Sequence, residues 1–327
     1  MPLPRGRSGQ VFCRDRVSDI LRVEKPGLFT TIQDLGRPNA MAAGVPTGGA
    51  MDRFAHRAAN LLTGNDEGAA TLECTLSGPV LIALRPCLIA ITGADFDPHV
   101  NGEAAPMWTG LFLSEGDELR FAGRRWGARA YIAVAGGVAG DRWLGSLSTS
   151  LLVARGGMHG RLLSAGDVIA TTGAPSLPAI AGRQMKPDDR PRYIDRTLPA
   201  IPGPHIRRLG SEGRKAFFGS AFAVSRDADR MGYRLEGPVL EVSGDELLSF
   251  GLVAGAVQVP RSGHPILLMA DHQTAGGYPV VATVVGAAMP VAAQLLPGDE
   301  LTFMEVSIES ALRLRAAQRA ALDSLKS

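Results

Sequence analysis

The segment LPGDELTF (296–303) indicates the fold of this chain, because a close copy of it, SEGDELRF, occurs at 114–121. In each copy a Gly-Asp pair leads into a run of alternating apolar and polar residues, which is typical of a turn entering a β-strand. A related turn, SAGDVIAT, lies at 164–171. SGPVLIAL (77–84) and EGPVLEV (236–242) form a second similar pair. This duplication predicts two similar β-barrels, with a Gly-Pro-Val-Leu strand in each half.

The remainder of the chain indicates a mainly β fold with few helices. Short apolar runs alternate with glycine and proline, as in barrels and sandwiches. Among these predicted strands are ILRVE (20–24), CLIAIT (87–92), ARAYIAVAG (128–136), PVLEV (238–242) and AVQVP (256–260). Helical periodicity is strong at 51–63 and at 307–325, where Ser307 is positioned to cap the helix.

These patterns predict five segments along the chain. Residues 1–17 are polar and rich in arginine and glycine, without an apolar core, and we expect a disordered tail. The first barrel is expected over 18–175 and the second over 205–306. The segment 176–204 between them is rich in proline and charge and is predicted to be a linker, and 307–327 is the terminal helix.

Composition excludes several classes of protein. A 45% hydrophobic content argues against disorder, and a net charge of +2 with scattered arginines argues against nucleic-acid binding. The three cysteines have no CxxC spacing, which favours reduced thiols in a cytoplasmic protein. The longest apolar stretch is interrupted by Arg85-Pro86, so no membrane span is expected. The six histidines have no metal-binding spacing, and no metal site is predicted.

A polar segment, DHQTAGGYP (271–279), separates two runs that are predicted to be buried strands. A plain hairpin needs only two to five turn residues, so this polarity favours a ligand loop. We predict that Asp271, Gln273, Thr274 and Tyr278 are catalytic. Gly276 and Gly277 would let the backbone approach a substrate. The alternative is a bulged turn whose side chains are satisfied within the fold.

The first half offers candidates for substrate binding around GVPTGGAMD (44–52). Gly48 and Gly49 precede the predicted helix, where backbone N–H groups and the helix dipole favour an anion. Asp52 either binds substrate or caps the helix. Three further polar residues lie in apolar surroundings, and each is either a substrate ligand or a structural hydrogen-bonding group: Asp34, Arg37 and Asn60. Glu73 is expected to face solvent from an alternating strand.

The second half adds the charged segment RDADRMGYRLEGP (226–238). An arginine there, such as Arg230, could bind a carboxylate through two hydrogen bonds, although a solvated charged turn is the alternative. Tyr233 and Gln258 complete the predicted substrate-binding set. We expect one polar cleft, lined by both halves, between the start of the helix at 48–52 and the loop at 271–278.

Several of these segments, taken in order, resemble a known family. They are GLFTTIQDLGRP, GVPTGGAMDRFAHRAANLLTGN, ITGAD, DRMGYRLEGP and GAVQVPRSGHPILLMADHQTAGGYP, and the resemblance covers about 19–305. The chain resembles the allophanate hydrolase subunit 2-like family of biotin-dependent carboxyltransferase relatives. This family includes the C-type subunit of bacterial 5-oxoprolinase, the antagonist of a sporulation-kinase inhibitor, and part of the carboxyltransferase domain of urea carboxylase.

The resemblance implies two cyclophilin-like β-barrel domains and a partner of the subunit 1-like type, which is the B-type protein of 5-oxoprolinase. In 5-oxoprolinase it also implies a third, A-type protein. The implied reaction is the ATP-dependent opening of 5-oxoproline, a small lactam, to glutamate. Whether ATP binds to this chain or to a partner is left open, and biotin is not expected to be attached here. The isolated chain is expected to be inactive.

Two departures from the family leave the substrate open. PTGG (46–49) stands where a Pro-Pro-Ser-Gly-like stretch is expected, and Val280 stands where a lysine or arginine is usual. The alternatives are a carboxyltransferase acting on urea, a non-catalytic regulatory protein, and a prolyl isomerase suggested only by the implied barrel.

Overall fold

The computed structural model describes residues 18–173 and 180–326, so the predicted tail 1–17 and the start of the predicted linker lie outside the described residues. The first half folds into two antiparallel sheets, and α1 (Arg53–Leu62) packs against the five-stranded one. The strands are β1 (Ser18–Lys25), β2 (Phe29–Gln33), β3 (Thr71–Thr75), β4 (Val80–Ala83), β5 (Cys87–Asp95), β6 (Pro98–Val100), β7 (Glu103–Ala104), β8 (Gly110–Leu113), β9 (Glu118–Phe121), β10 (Trp126–Val134) and β11 (Val168–Thr171). The sheet orders are β11-β1-β4-β9-β6-β7 and β2-β3-β10-β5-β8.

The second half forms a closed barrel. Its elements are β12 (Thr197–Pro202), α2 (Gly210–Gly219), β13 (Ala221–Val224), β14 (Gly232–Glu236), β15 (Phe250–Gly251), β16 (Ala256–Gln258), β17 (Ile266–Leu268), β18 (Ala275–Gly276), β19 (Val280–Val284), α3 (Met289–Ala293), β20 (Glu300–Glu305) and α4 (Ile308–Asp323). The barrel order is β12-β19-β16-β17-β14-β13-β20, and β20 pairs in parallel with β12 to close it. The prediction of a mainly β fold with few helices is confirmed.

Each half has its own apolar core. In the first half, residues of both sheets pack together, including Leu21, Ile89 and Ile132. In the barrel, the rings of Phe217 and Phe303 stack with centroids 4.6 Å apart. Met51, from the loop before α1 in the first half, belongs to the barrel core. The two halves are therefore held together by apolar packing as well as by polar contacts.

The repeated Gly-Asp turns share one geometry. In the turns at 114–117, 164–167 and 296–299, the aspartate carboxylate accepts a hydrogen bond from the backbone N–H three residues earlier, at 2.7, 2.8 and 2.9 Å. The glycine before each aspartate has a φ near +88°, which a side chain would disfavour. Two of these turns enter β9 and β20, as the duplication predicts.

The Gly-Pro-Val-Leu pair is only partly confirmed. In the first half this segment forms β4, whereas the second copy follows β14 and has no strand at 237–242. The prediction of a strand there is wrong. The backbone N–H of Leu240 instead donates to the carbonyl of Gly263 in a neighbouring loop.

The barrel begins within the segment predicted as a linker, because β12 is one of its strands. Proline cannot donate to a sheet, and its frequency here favoured an irregular segment. In β12, however, the carbonyl of Pro199 accepts a hydrogen bond of 2.8 Å from the N–H of Val285. In the described residues no helix is long and apolar enough to span a bilayer, and Cys74 and Cys87 are free and buried.

Candidate functional site

A largely buried arginine joins the two halves of the molecule. Arg230 lies in the turn before β14, and its side chain is 12% exposed. Its Nε donates a hydrogen bond of 2.8 Å to Oδ2 of Asp271, and its Nη2 donates one of 2.7 Å to the carbonyl of Gly49. Its Nη1 donates to Oε1 of Glu73 in the first half. One guanidinium thus binds a carboxylate from each half, as its forked donors allow.

Glu73 is buried in β3, so the prediction that it faces solvent is wrong. Its Oε2 accepts hydrogen bonds from the N–H of Met51 at 2.9 Å and from the hydroxyl of Tyr131 at 2.7 Å. Alternation failed here because the Met51 loop and the second half cover the outer face of the strand. Burial opposes the charge of Arg230, but Asp271 and Glu73 raise the pKa of Arg230 above its ordinary value. The guanidinium therefore stays charged.

Asp34 is saturated by protein groups. Its carboxylate accepts hydrogen bonds of 2.6 Å from the hydroxyls of Ser146 and Ser148 and from the N–H of Leu147, and one of 2.7 Å from the N–H of Gly36. These bonds fix the loop at 146–148 against the end of β2. The structural alternative, rather than substrate binding, therefore describes Asp34.

Arg37 keeps unused hydrogen-bonding capacity. Its side chain is buried, its Nη2 donates to the carbonyl of Ser148, and its guanidinium carbon lies 4.8 Å from the centroid of the Trp143 ring. Its buried Nε has no hydrogen-bond partner among the described residues. Burial lowers the pKa of Arg37, and the charges of Asp34 and Asp271 counteract this. An anion reaching this group would stabilise it.

Gly48 lies between Arg37 and Asp271. Its φ is +65°, and a Cβ built on it would lie 2.9 Å from Nη1 of Arg37 and 3.4 Å from Oδ1 of Asp271. Its N–H donates to the carbonyl of Ala270 at 3.0 Å, which ties the Gly48-Gly49 turn to the second half. We call the cluster of Arg37, Gly48, Glu73, Arg230 and Asp271 the junction.

Asp52 caps α1, as the structural alternative held, and it also ties three segments together. Its Oδ1 accepts a hydrogen bond of 2.9 Å from the N–H of Ala55. Its Oδ2 accepts one of 2.8 Å from the Tyr193 hydroxyl and one of 3.0 Å from Nε2 of Gln294. Burial raises the pKa of Asp52 to about 6, against the effect of these hydrogen bonds. Asp52 has no surface open to a substrate, because it is fully buried.

Tyr233 belongs to the same buried network. Its hydroxyl accepts a hydrogen bond of 2.8 Å from Nη1 of Arg129 in β10, which also donates to the carbonyl of Ala293 at 2.6 Å. Oε1 of Gln294 accepts from the N–H groups of Ala128 and Arg129. Arg129, Tyr131 and Gln294 were not predicted from the sequence. The available signal was a polar side chain within a buried run: Arg129 and Tyr131 in β10, and Gln294 after α3.

Three of the other predicted residues border a separate cavity of about 540 Å³ on the barrel, which we call the barrel cavity. Gln258, Gln273 and Tyr278 border it, together with Asp227 and Arg234. A Cβ built on Gly276 would lie 2.7 Å from Nε2 of Gln273 and 3.4 Å from Nε2 of Gln258, so two side-chain amides converge there. Gly277 and Tyr278 border an adjoining cavity of about 660 Å³.

The barrel cavity is not the predicted cleft lined by both halves, because every residue bordering it belongs to the second half. The loop at 271–278 connects the two places. Asp271 at its start belongs to the junction, and Gln273 and Tyr278 border the barrel cavity. Thr274 helps to shape the loop through its carbonyl, which accepts from the N–H of Leu252 at 2.9 Å.

Asn60 belongs neither to the junction nor to the residues that border the barrel cavity. It lies within α1, and its Nδ2 donates to the carbonyl of Ala69 at 2.7 Å while its Oδ1 accepts from Nδ2 of Asn65. These bonds hold the loop after the helix, so Asn60 has a structural role. Among the described residues there is also no cluster of three or more His, Cys, Asp or Glu side chains suited to a metal ion.

Residues 43–305 match the profile of the family described as "Carboxyltransferase domain, subdomain A and B". The chain belongs to this family. It is 38% identical over 311 residues to the C-type subunit of 5-oxoprolinase from Escherichia coli, covering 94% of this chain and 97% of that protein. It is 33% identical to the C-type subunit of 5-oxoprolinase from Haemophilus influenzae, with the same coverage of both chains. The resemblance stated from the sequence motifs is confirmed.

A solved structure shares the architecture of this carboxyltransferase-family chain. The urea carboxylase of Kluyveromyces lactis is 28% identical to it, with a TM-score of 0.85 over 95% of this chain. This chain spans 29% of that longer protein. The architecture of the two halves is therefore shared with that urea carboxylase.

Proposed function

We propose that this protein is the C-type subunit of an ATP-dependent 5-oxoprolinase, which opens the lactam of 5-oxoproline to glutamate. The observation that carries the proposal is the identity to two C-type 5-oxoprolinase proteins over 94% of this chain and 97% of each of theirs. We further propose that it acts with the B-type and A-type proteins of that enzyme in the cytoplasm. We also propose that ATP binds to one of these partners, since the sequence has no P-loop motif that would form a phosphate site of that kind in this chain.

The barrel cavity is our candidate for the lactam site. Its volume of about 540 Å³ lies within the range of small-molecule pockets. The amides of Gln258 and Gln273 could donate to the carbonyl of a lactam and accept from its N–H. Donors directed at that oxygen would also stabilise negative charge developing on it as the ring opens.

Arg234, rather than Arg230, is our candidate for binding the substrate carboxylate. Arg230 is already committed to Glu73, Asp271 and Gly49. Arg234 borders the barrel cavity and is exposed. Val280, where the family usually has a cation, is buried beside Leu268 in an apolar cluster. In this chain the positive charge for a carboxylate would therefore come from Arg234.

The test is a reconstitution. The purified chain is mixed with its B-type and A-type partners, and glutamate formation from 5-oxoproline is measured with and without ATP. We expect ATP-dependent glutamate formation by the full mixture and none by the isolated chain. Activity without this chain, or robust activity of this chain alone, contradicts the proposal.

A carboxyltransferase acting on urea is the second candidate. The observation in its favour is the TM-score of 0.85 to the Kluyveromyces lactis urea carboxylase. Supplying the chain with carboxybiotin and urea, and measuring loss of carboxybiotin, distinguishes the two. Urea-dependent loss of carboxybiotin, with no glutamate formed in the reconstitution, would favour this second function.

A further inference from the structure

Helix α4, the last helix of the described residues, exposes most of its side chains. Ser307 caps it by accepting from the N–H of Ser310, so its start is well defined. Yet within the helix only Ala311 and Leu322 are buried, while Ile308 and Leu312 are 66% and 58% exposed. Large apolar side chains exposed together on one helix are a feature of protein-binding surfaces. The family profile ends at residue 305, before this helix.

A groove of about 890 Å³ runs between α4, α1 and strand β19. Apolar residues such as Val284 and Leu312 line it, together with four arginines: Arg53, Arg57, Arg315 and Arg319. None of the described residues that line it is an aspartate or a glutamate. We call this feature the arginine groove. It combines apolar surface with positive charge that no lining carboxylate balances.

The charge in the arginine groove is largely uncompensated. Arg53 and Arg57 lie one turn apart on α1, where like charges repel. Burial lowers the pKa of Arg53, the charge of Arg57 lowers it further, and the charge of Asp34 partly counteracts both. Nε of Arg57 is buried without a hydrogen-bond partner among the described residues and lies 3.8 Å from Oε2 of Glu67. Within the described ranges, Arg53 and Arg315 form no ion pair.

The two carboxylates that pair with arginines of the groove are shared among several cations. Glu67 accepts two hydrogen bonds, of 2.7 and 2.8 Å, from Arg319, and it also pairs with Lys326 at 2.7 Å. Asp323 pairs with both of the same cations. Arg319 is therefore neutralised within the chain, and Arg57 shares Glu67 with it at 3.8 Å. Arg53 and Arg315, which form no ion pair among the described residues, keep charge that a bound anion could balance.

We propose that the arginine groove docks an acidic, amphipathic segment of the B-type partner. Its apolar side chains would pack on Val284 and Leu312, and its carboxylates would pair with Arg53, Arg57 and Arg315. Arginine beside apolar side chains is the composition enriched at protein interfaces, and opposite charge sets orientation and speeds association. The proposal rests on the proposed function, since it requires that partner.

The test compares two charge reversals on the same helix. Arg315→Glu alters the groove, whereas Arg313→Glu makes the same change two residues away at a position that does not line it. Arg313 is 64% exposed and pairs with Glu309 and Ser310 on its own helix. The purified B-type partner is titrated into each variant of the full chain, and the dissociation constant is measured calorimetrically at low and at high salt.

We expect Arg315→Glu to weaken binding roughly tenfold or more at low salt, and Arg313→Glu to change it by about twofold or less. Thermal melting should be the same for both variants, because both positions are exposed. Equal effects of the two reversals overturn the proposal. If the partner fails to bind even the wild-type chain, the partner assignment of the proposed function falls, and the docking proposal falls with it. If ATP or pyrophosphate raises the melting temperature of the wild type but not of Arg315→Glu, while partner binding is unchanged, the groove binds a small anion instead.

Discussion

The guanidinium of Arg230, from the second half, donates to the buried carboxylate of Glu73, from the first half. These residues are 157 positions apart in the sequence, and Glu73 is 1% exposed. The pair is shielded from water and completed by hydrogen bonds to Met51, Tyr131, Gly49 and Asp271. Removing one member of such a pair leaves the other charge buried, which is costly.

We therefore predict that Glu73→Gln lowers the free energy of unfolding by about 3 kcal/mol, the scale for breaking a buried pair. The measurement is urea denaturation followed by circular dichroism. Glu24→Gln is the matched control, because Glu24 forms an exposed pair with Arg22 at 2.7 Å and should change stability by less than about 1 kcal/mol. Equal losses in the two variants would contradict a special role for the junction.

Asp52 should make stability depend on pH. Its pKa is raised by burial from 3.8 to about 6, so the folded protein holds this proton more tightly than the unfolded chain does. The resulting stabilisation is fully present below pH 3.8 and is lost as the pH rises through about 6. The shift corresponds to about 3 kcal/mol at most.

Asp52→Asn, which keeps one oxygen acceptor, should remove the loss of stability that the wild type shows as the pH rises. The measurement is the difference in unfolding free energy between variant and wild type, followed from pH 4 to pH 7. We expect this difference to shift in favour of the variant as the pH rises. Glu67 and Asp323, whose pKa values are lowered to about 2, affect both proteins equally and cancel in the difference. A difference that is constant with pH would show that Asp52 does not titrate in this range.

Gly48→Ala should disturb the junction through Arg37. A Cβ at this position would meet Nη1 of Arg37 at 2.9 Å, and the φ of +65° adds backbone strain. Gly44→Ala is a close control, because Gly44 has a φ of +77° but nothing within 4 Å of the added carbon. Both variants should lose about 1 kcal/mol from the backbone, and Gly48→Ala should lose more. Identical melting temperatures would mean that Arg37 moves aside at no cost.

Gln273→Ala should reduce glutamate formation by the reconstituted complex roughly a hundredfold, the scale for losing one donor to a developing oxyanion. Gln273 is exposed on the loop bordering the barrel cavity, so the variant should melt at the wild-type temperature. Gln184→Ala, at an exposed position elsewhere, serves as the control for removing an amide. An unchanged rate in Gln273→Ala would mean that the loop is structural.

Local patterns in the sequence predicted the local structure well. The Gly-Asp turns, α1 and α4 each follow from residues close together in the chain, and Ser307 caps α4 as expected. The prediction failed where a distant segment changes the environment. Glu73 fits the pattern of a solvent-facing residue until the second half covers it. Helix α2, with glycines at both ends and one inside, has little intrinsic helix propensity and was not predicted.

The candidate site was predicted less well than the fold, for the same reason. From residue type alone, four polar side chains were candidates for binding or reacting with a substrate: Arg230, Asp271, Gln258 and Gln273. Whether each of these side chains already forms hydrogen bonds or ion pairs within the protein depends on contacts between residues that are distant in the sequence. Arg230 pairs with Glu73, and Asn60 bonds to backbone, whereas Gln258 and Gln273 border a cavity. No local pattern distinguishes these outcomes.

The closure of the barrel by β20 against β12 also bears on how the chain is made on the ribosome. Thr197 and Thr302, which face each other where the barrel closes, are 105 residues apart. β12 can therefore pair with β20 only after almost the whole second half has been synthesised. A nascent chain that stops before β20 leaves one edge of β12 and one edge of β13 without a partner. Exposed strand edges recruit other chains. Interrupted translation in this last stretch would therefore yield an aggregating fragment rather than a shortened, working protein.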